Sequence, residues 1–193
     1  KFALGEMLLK GLGVKKDPTE AFHLLSETPR AGHAPSQFQI GLCHEQGLGT
    51  PENPKEAVHC FRLAADQGHA EAMFKLGTCL EHGRGAAQDH LEAVKWYDKA
   101  AEGDVAEAQA KLASFYDRGH LVPQDFAEAA KWYEKAAAKN ITEAQTRLGA
   151  YYDQGIGVKQ DYATAAKWFR KSAEAGNVEA QAKLGQYYDV GTG

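Results

Sequence analysis

This chain has little cysteine, little proline and no long apolar run, and each shortage removes a class of architecture. Three cysteines in 193 residues do not make a disulfide framework of the kind that staples small secreted domains. Six prolines beside twenty glycines suit short helices parted by regular turns, and suggest neither collagen nor disorder. No stretch approaches the roughly 18 continuous apolar residues of a membrane-spanning helix, so no direct membrane insertion is expected. Positive charge is also scarce: 22 Lys and Arg stand against 26 Asp and Glu, a net charge of −4. Nucleic acid would want clustered Lys and Arg and is not an expected partner. The chain opens at Lys1 inside a helical pattern and closes at Gly193 in a turn, and it is expected to be a piece of a longer protein.

What the chain has in abundance is period. Gly5, Gly41, Gly77, Ala113, Gly149 and Gly185 recur at 36-residue spacing, each preceded by Leu or Ile. Six residues after each comes another glycine: Gly11, Gly47, Gly83, Gly119, Gly155 and Gly191. A fixed period of this length marks a solenoid, whose units stack only on their neighbours. The expected fold is all-α, a right-handed α/α superhelical solenoid over residues 1–193, with five helical hairpins and a final first helix.

The third unit shows the design. Ala72, Leu76, Gly77 and Leu80 follow a helical rhythm, and Gly83 suits a left-handed C-cap. Asp89 with Glu92 reads as a capping box, as do Asn53 with Glu56 and Asp125 with Glu128. Pro18 strengthens the same device at Asp17 and Glu20, while Asp161 has Thr164 at the box position. The second helix carries Ala93, Tyr97 and Ala100 on one face, with Phe61, Tyr133 and Phe169 as the equivalents of Tyr97. Small residues allow close approach of the helices and the aromatic fills the space between them. The turn residues His33 and His69 read as the finish of a helix. The first unit departs from the pattern, and Pro29 predicts a shortened or kinked second helix. Leu121 replaces the second turn glycine of the fourth unit and predicts a different path there.

An alanine, Leu-Gly four residues later, a glycine-x-glycine turn, then Asp or Asn before Ala-x-x-Trp-Tyr-x-Lys-Ala-Ala resembles the Sel-1-like repeat family. Ala72 to Ala101, Ala108 to Ala137 and Ala144 to Ala173 are the clearest copies. The resemblance implies a relative of the tetratricopeptide repeat whose first helices line a concave face. It implies a protein- or peptide-binding adaptor or scaffold. Two alternatives stay open: a bacterial cell-envelope module binding peptidoglycan or another glycan, and a structural spacer. Gln37, Gln39 and Gln46 lend the glycan reading modest support. The family occurs in bacteria and in eukaryotic organelles, so cytoplasm and periplasm or secretion both stay open.

The Leu-Gly register places Glu71, Phe74, Thr78, Glu81 and His82 on the inward face of the third unit, with Leu42 at the Thr78 slot one unit earlier. Two ladders follow. Phe2, Phe38 and Phe74 give way to Ala110, Thr146 and Ala182, which suggests an apolar groove in the first three units or large residues filling a different curvature. Glu45, Glu81, Asp117, Asp153 and Asp189 form an acidic ladder, interrupted by His82 and Arg118. It serves either hydrogen bonding across the turn or attraction of basic ligand groups. Lys75, Lys111, Arg147 and Lys183, together with Lys99, Lys135 and Lys171, read as solvated faces, and Trp96, Trp132 and Trp168 as seals of the outer layer.

No enzyme signature emerges. The glycine pairs around Arg84 and Ile156 neither follow a strand nor carry the Lys-Ser or Lys-Thr of a phosphate loop. The eight histidines scatter without ligand spacing. Cys43 and Cys79 share a slot with Met7, Phe115, Tyr151 and Tyr187 and read as packing thiols, whereas Cys60 stands where other units have tryptophan. A Cys43–Cys60 bridge is conceivable but not demanded by the spacing. Cysteine-rich members of the resembled family have been linked to penicillin binding, but their paired cysteines are absent here, where those slots hold Ala65 and Thr78. The expectation is a non-enzyme with no cofactor and no metal.

Overall fold

A computed structural model describes residues 1–27 and 32–190, with side chains as far as Tyr187. The described residues form eleven α-helices and no strand. First helices of the repeats are α1 (Phe2–Lys10), α3 (Ala34–Gln46), α5 (Ala70–His82), α7 (Ala106–Arg118), α9 (Thr142–Gln154) and α11 (Val178–Val190). Second helices are α2 (Pro18–Ser26), α4 (Pro54–Ala65), α6 (His90–Glu102), α8 (Phe126–Ala138) and α10 (Tyr162–Glu174). The chain divides into two compact units after Gly103. Within each unit, every helix packs against the next in sequence. None of the described helices is long and apolar enough to cross a membrane.

The helix ends follow from local chemistry. Asp17, Asn53, Asp89, Asp125 and Asp161 each accept backbone N–H bonds at the start of a second helix. Only half of each expected box forms. The backbone N–H groups of Asp17, Asn53, Asp89 and Asp125 donate to carbonyls of Leu8, His44, Leu80 and Tyr116 on the preceding first helix, and the Glu92 carboxylate accepts from Trp96 and Arg62. The histidine turn slot also differs from its reading. The backbone N–H groups of Ser36 and Ala72 donate to Nδ1 of His33 and His69, and that of Ala180 donates to Asn177. These residues therefore begin the following first helix. A first helix ends on glycine in the left-handed region, and a turn glutamine then reaches back. Gln88, Gln124 and Gln160 donate to the carbonyls of Glu81, Asp117 and Asp153 at 2.7–2.8 Å. Each satisfies one of the orphan acceptors that a helix C-terminus leaves.

The turn itself rests on the preceding repeat. Gly85 has φ +78°, and a Cβ there would lie 2.1 Å from the Pro54 carbonyl oxygen. Leu121 takes the same left-handed conformation, φ 66°. The different path predicted for this turn is therefore not taken at Leu121, and a leucine bears a conformation that normally disfavours a side chain by about 1–2 kcal/mol.

From the second repeat to the fifth, the hairpin closes an aromatic ring of its second helix over the small slot of its first. Phe61, Tyr97, Tyr133 and Phe169 are buried. A Cβ at Gly41 would come 2.6 Å from the Phe61 ring, and one at Gly149 would come 2.8 Å from Phe169. In the first repeat Leu25 is the buried residue and α2 is only nine residues long. Thr28, Pro29 and Gly191 lie outside the described residues.

Candidate functional site

The phenylalanine ladder faces its own hairpins and the histidine caps of the next first helices. Phe38 stacks on His69 with ring centroids 4.7 Å apart and meets Phe61 at 5.9 Å. Phe74 meets Tyr97 at 5.6 Å, and Phe2 meets His33 edge-on at 4.8 Å. All three rings are half-buried. In the fifth repeat Thr146 fills this slot, and its hydroxyl lies 2.6 Å from the Ser172 Oγ. The Ser172 slot holds Ala64 and Ala100 in the two complete repeats that carry phenylalanine. In the fourth repeat both slots hold alanine, Ala110 and Ala136.

The acidic ladder is woven into the packing. Tyr151 donates to Asp117 at 2.5 Å and Tyr187 to Asp153 at 2.5 Å, each tyrosine lying one repeat beyond its acid. Tyr97 donates to Glu81 at 2.6 Å within one hairpin, and Tyr133 reaches Asp117 at 3.5 Å. Where the next first helix carries Cys79 in place of tyrosine, the acid is the longer Glu45 and it pairs with Lys75 at 2.7 Å. Burial, reinforced by the neighbouring carboxylates, pushes Tyr97, Tyr133, Tyr151 and Tyr187 well above the ordinary phenol range. Of the two roles the sequence leaves open for these acids, hydrogen bonding is the one with visible partners; at Asp117 and Asp153 those partners include the next repeat.

The remaining candidates are spread over the first helices. Thr78 donates to the Phe74 carbonyl at 3.0 Å, and Leu42 is half-buried. Glu71, His82 and Arg118 are exposed. Arg118 borders the feature that sequence reasoning missed, an open cleft of about 310 Å³ in the second unit. Ala110, Lys111, Ser114 and Arg118 of α7, Tyr133 of α8, and Glu143 and Arg147 of α9 line it. Ala110 occupies the ladder slot, so this cleft opens where the phenylalanine is missing. The sequence signal was an alanine in the ladder slot beside the basic one, at Ala110 and Lys111.

The second helices carry a different device. The ammonium groups of Lys99, Lys135 and Lys171 lie 4.5, 3.8 and 4.5 Å from the ring centroids of Trp96, Trp132 and Trp168. These lysines are exposed, as a solvated face requires, and they also cover indole rings. Hydrogen bonds from Arg62 at 2.8 Å and Trp96 at 3.1 Å hold the Glu92 carboxyl below its usual range. The three cysteines form no disulfide. Burial pushes the Cys43 thiol up to about 11, which leaves little thiolate for nucleophilic chemistry at neutral pH. Among the described residues, no group of three or more His, Cys, Asp and Glu side chains is arranged to hold a metal ion.

The repeating hairpins have counterparts elsewhere. The Sel1 repeat model matches residues 1–28, 34–69, 70–105, 106–141, 142–177 and 178–193. The chain belongs to the Sel1 repeat family. A protective antigen of uropathogenic Escherichia coli, c5321, which displays an SLR fold, is 34% identical with a TM-score of 0.90. That match covers 98% of this chain but 41% of the antigen, so the chain spans less than half the antigen's length. A Sel1 repeat protein from Oxalobacter formigenes is 36% identical over 96% of this chain and 76% of its own, with a TM-score of 0.85. Helicobacter pylori cysteine rich protein B shares the fold at 23% identity and a TM-score of 0.53, over 69% of this chain and 96% of its own. No curated protein matches the chain. Sel1 repeats form an all-helical solenoid that is typically a protein-interaction scaffold and generally not an enzyme.

Proposed function

We propose that this Sel1 repeat chain is a scaffold that binds a protein or peptide along its first helices. The observation that carries this reading is the cleft between α7 and α9, where Lys111, Arg118 and Arg147, the last paired with Glu143 at 3.1 Å, surround the Tyr133 wall and leave an excess of positive charge. Three cationic side chains beside an aromatic ring suit an acidic side chain of an extended or helical peptide. In the first unit the half-buried Phe38 and Phe74, with Leu42, offer apolar contact, while Glu71 and His82 add polar contacts. Glu45, Glu81, Asp117 and Asp153 serve this face from behind, by fixing the residues that shape it. The glycan alternative loses one of its amides: Gln37 is buried and accepts a hydrogen bond from Gln67.

A displayed random-peptide library tests the reading. Wild-type protein should enrich acidic sequences, and an Arg118→Ala, Arg147→Ala variant with an unchanged melting curve should lose them. A Phe38→Ala, Phe74→Ala variant should lose apolar selectivity while keeping the acidic preference. Enrichment that is indifferent to both variants would remove the first helices from consideration.

A further inference from the structure

We infer that the first unit holds a binding pocket for an indole ring, built where the second repeat departs from the tryptophan pattern of its neighbours. Trp96, Trp132 and Trp168 stand at one slot of the second helices, and Cys60 holds that slot in α4. Around Cys60 lies a cavity of about 130 Å³, whose walls include Phe22, Ile40, His44, Glu56 and Leu63. The same slot holds an indole in the next three repeats, so the space beside the smaller Cys60 side chain lies where those repeats seat a ring.

The neighbouring repeat shows what such a site accepts. Trp96 is 9% exposed, and its Nε1–H donates to the Glu92 carboxylate at 3.1 Å. Glu56 is the Glu92 equivalent and borders the cavity. Nearly every other lining slot changes with the loss of the indole, and three exchanges stand out. Leu63 takes the slot of Lys99, Ser26 that of Arg62, and Phe22 that of Val58. Two of these replace a cation with an uncharged residue, and the third adds an aromatic ring. Ser36, Gln37 and His44 stand where the next repeat has Ala72, Met73 and Leu80, so the walls join Phe22, Ile40 and Leu63 to polar groups, and the carboxylate acceptor is retained. His44 adds a second unusual feature. Its ring meets Phe22 edge-on at 5.3 Å, and its buried Nδ1 has no hydrogen-bond partner among the described residues. Unfilled, the space beside Phe22, Ile40 and Leu63 forgoes the dispersion contacts that a packed ring would make. Indole would restore them from outside, either as a small molecule or as the tryptophan side chain of a partner. The pocket belongs to the α2, α3 and α4 layer and stands apart from the α7–α9 cleft, so each site can fail without the other.

The test is a titration of the whole chain with indole, 1-methylindole and N-acetyltryptophanamide, followed by amide NMR shifts and calorimetry. Indole should saturate, with shifts concentrated near Phe22, Ile40, His44 and Leu63. 1-Methylindole, which cannot donate to Glu56, should bind about 2- to 10-fold more weakly. Cys60→Trp should supply the ring internally, abolish binding and leave the protein at least as heat-stable. Binding of N-acetyltryptophanamide as well as indole would assign the pocket to a partner's side chain, and binding of indole alone to a small molecule. Non-saturating titrations, shifts scattered away from the cavity, or equal affinity in a folded Cys60→Trp protein would overturn the proposal. The shift map decides the matter even if that variant does not fold.

Discussion

Tyr151 on α9 donates its phenol proton to Asp117 on α7 across 2.5 Å. The tyrosine sits in a slot that looks apolar, and the acid in a row that looks like surface charge. Together they join consecutive first helices, and Tyr187 with Asp153 repeats the arrangement one hairpin later.

Removing the phenol hydroxyl in Tyr151→Phe should cost about 1.5–3 kcal/mol, the range for hydrogen bonds to charged groups. Urea unfolding of Tyr151→Phe, Asp117→Ala and the double variant measures the coupling. A coupling energy near zero would mean that the close contact contributes nothing to stability.

The same tyrosines predict an alkaline limit. Their folded values lie above the ordinary 10.0, so folding favours the protonated phenol. That contribution is fully present below about pH 10 and is lost as pH rises through the folded values. Stability should fall steeply on that side, with phenolate absorbance appearing together with unfolding. Tyr151→Phe should make the slope shallower. Phenolate absorbance of all the tyrosines near pH 10, with the fold intact, would contradict this.

Acid acts through a different group. Arg62 and Trp96 hold Glu92 below 4.5, so its contribution is present above that value and disappears as pH falls through the lowered folded one. Arg62→Ala should flatten the acid side of the stability profile while leaving the alkaline side unchanged. A profile identical to wild type would show that the pair is too solvent-screened to matter.

Two glycines of one slot should respond oppositely to alanine. At Gly41 the new methyl would meet the Phe61 ring at 2.6 Å, and such overpacking costs about 1–3 kcal/mol. That outweighs or cancels the roughly 1 kcal/mol gained in helix propensity. In this 193-residue chain no second helix follows α11 among the described residues, and Gly185 has nothing within 4 Å of that position, so Gly185→Ala made in the same chain should stabilise it by up to about 1 kcal/mol. Thermal melts of the two variants should therefore move apart.

The helical hairpins were legible because their signals are local. A cap such as Asp89 acts on N–H groups three residues away, and the 36-residue register of Leu-Gly slots marks where one helix must approach another. The burial of Phe61 and Tyr97 against small residues follows from the same pattern. The turn histidines were assigned to the wrong helix end because an imidazole cap is rarer than Asp or Asn and carries no spacing signature.

The sequence by itself determined the repeat, its helices and the small slots that let them pack, since period, capping and side-chain size act within one unit. Tertiary structure alone decided that Asp117 belongs to Tyr151, that a cleft with Lys111, Arg118 and Arg147 in its walls opens beside Ala110, and that a cavity lies beside Cys60. Those outcomes depend on how side chains of different length meet after helices from separate repeats are brought together. No residue spacing within a single repeat encodes that meeting.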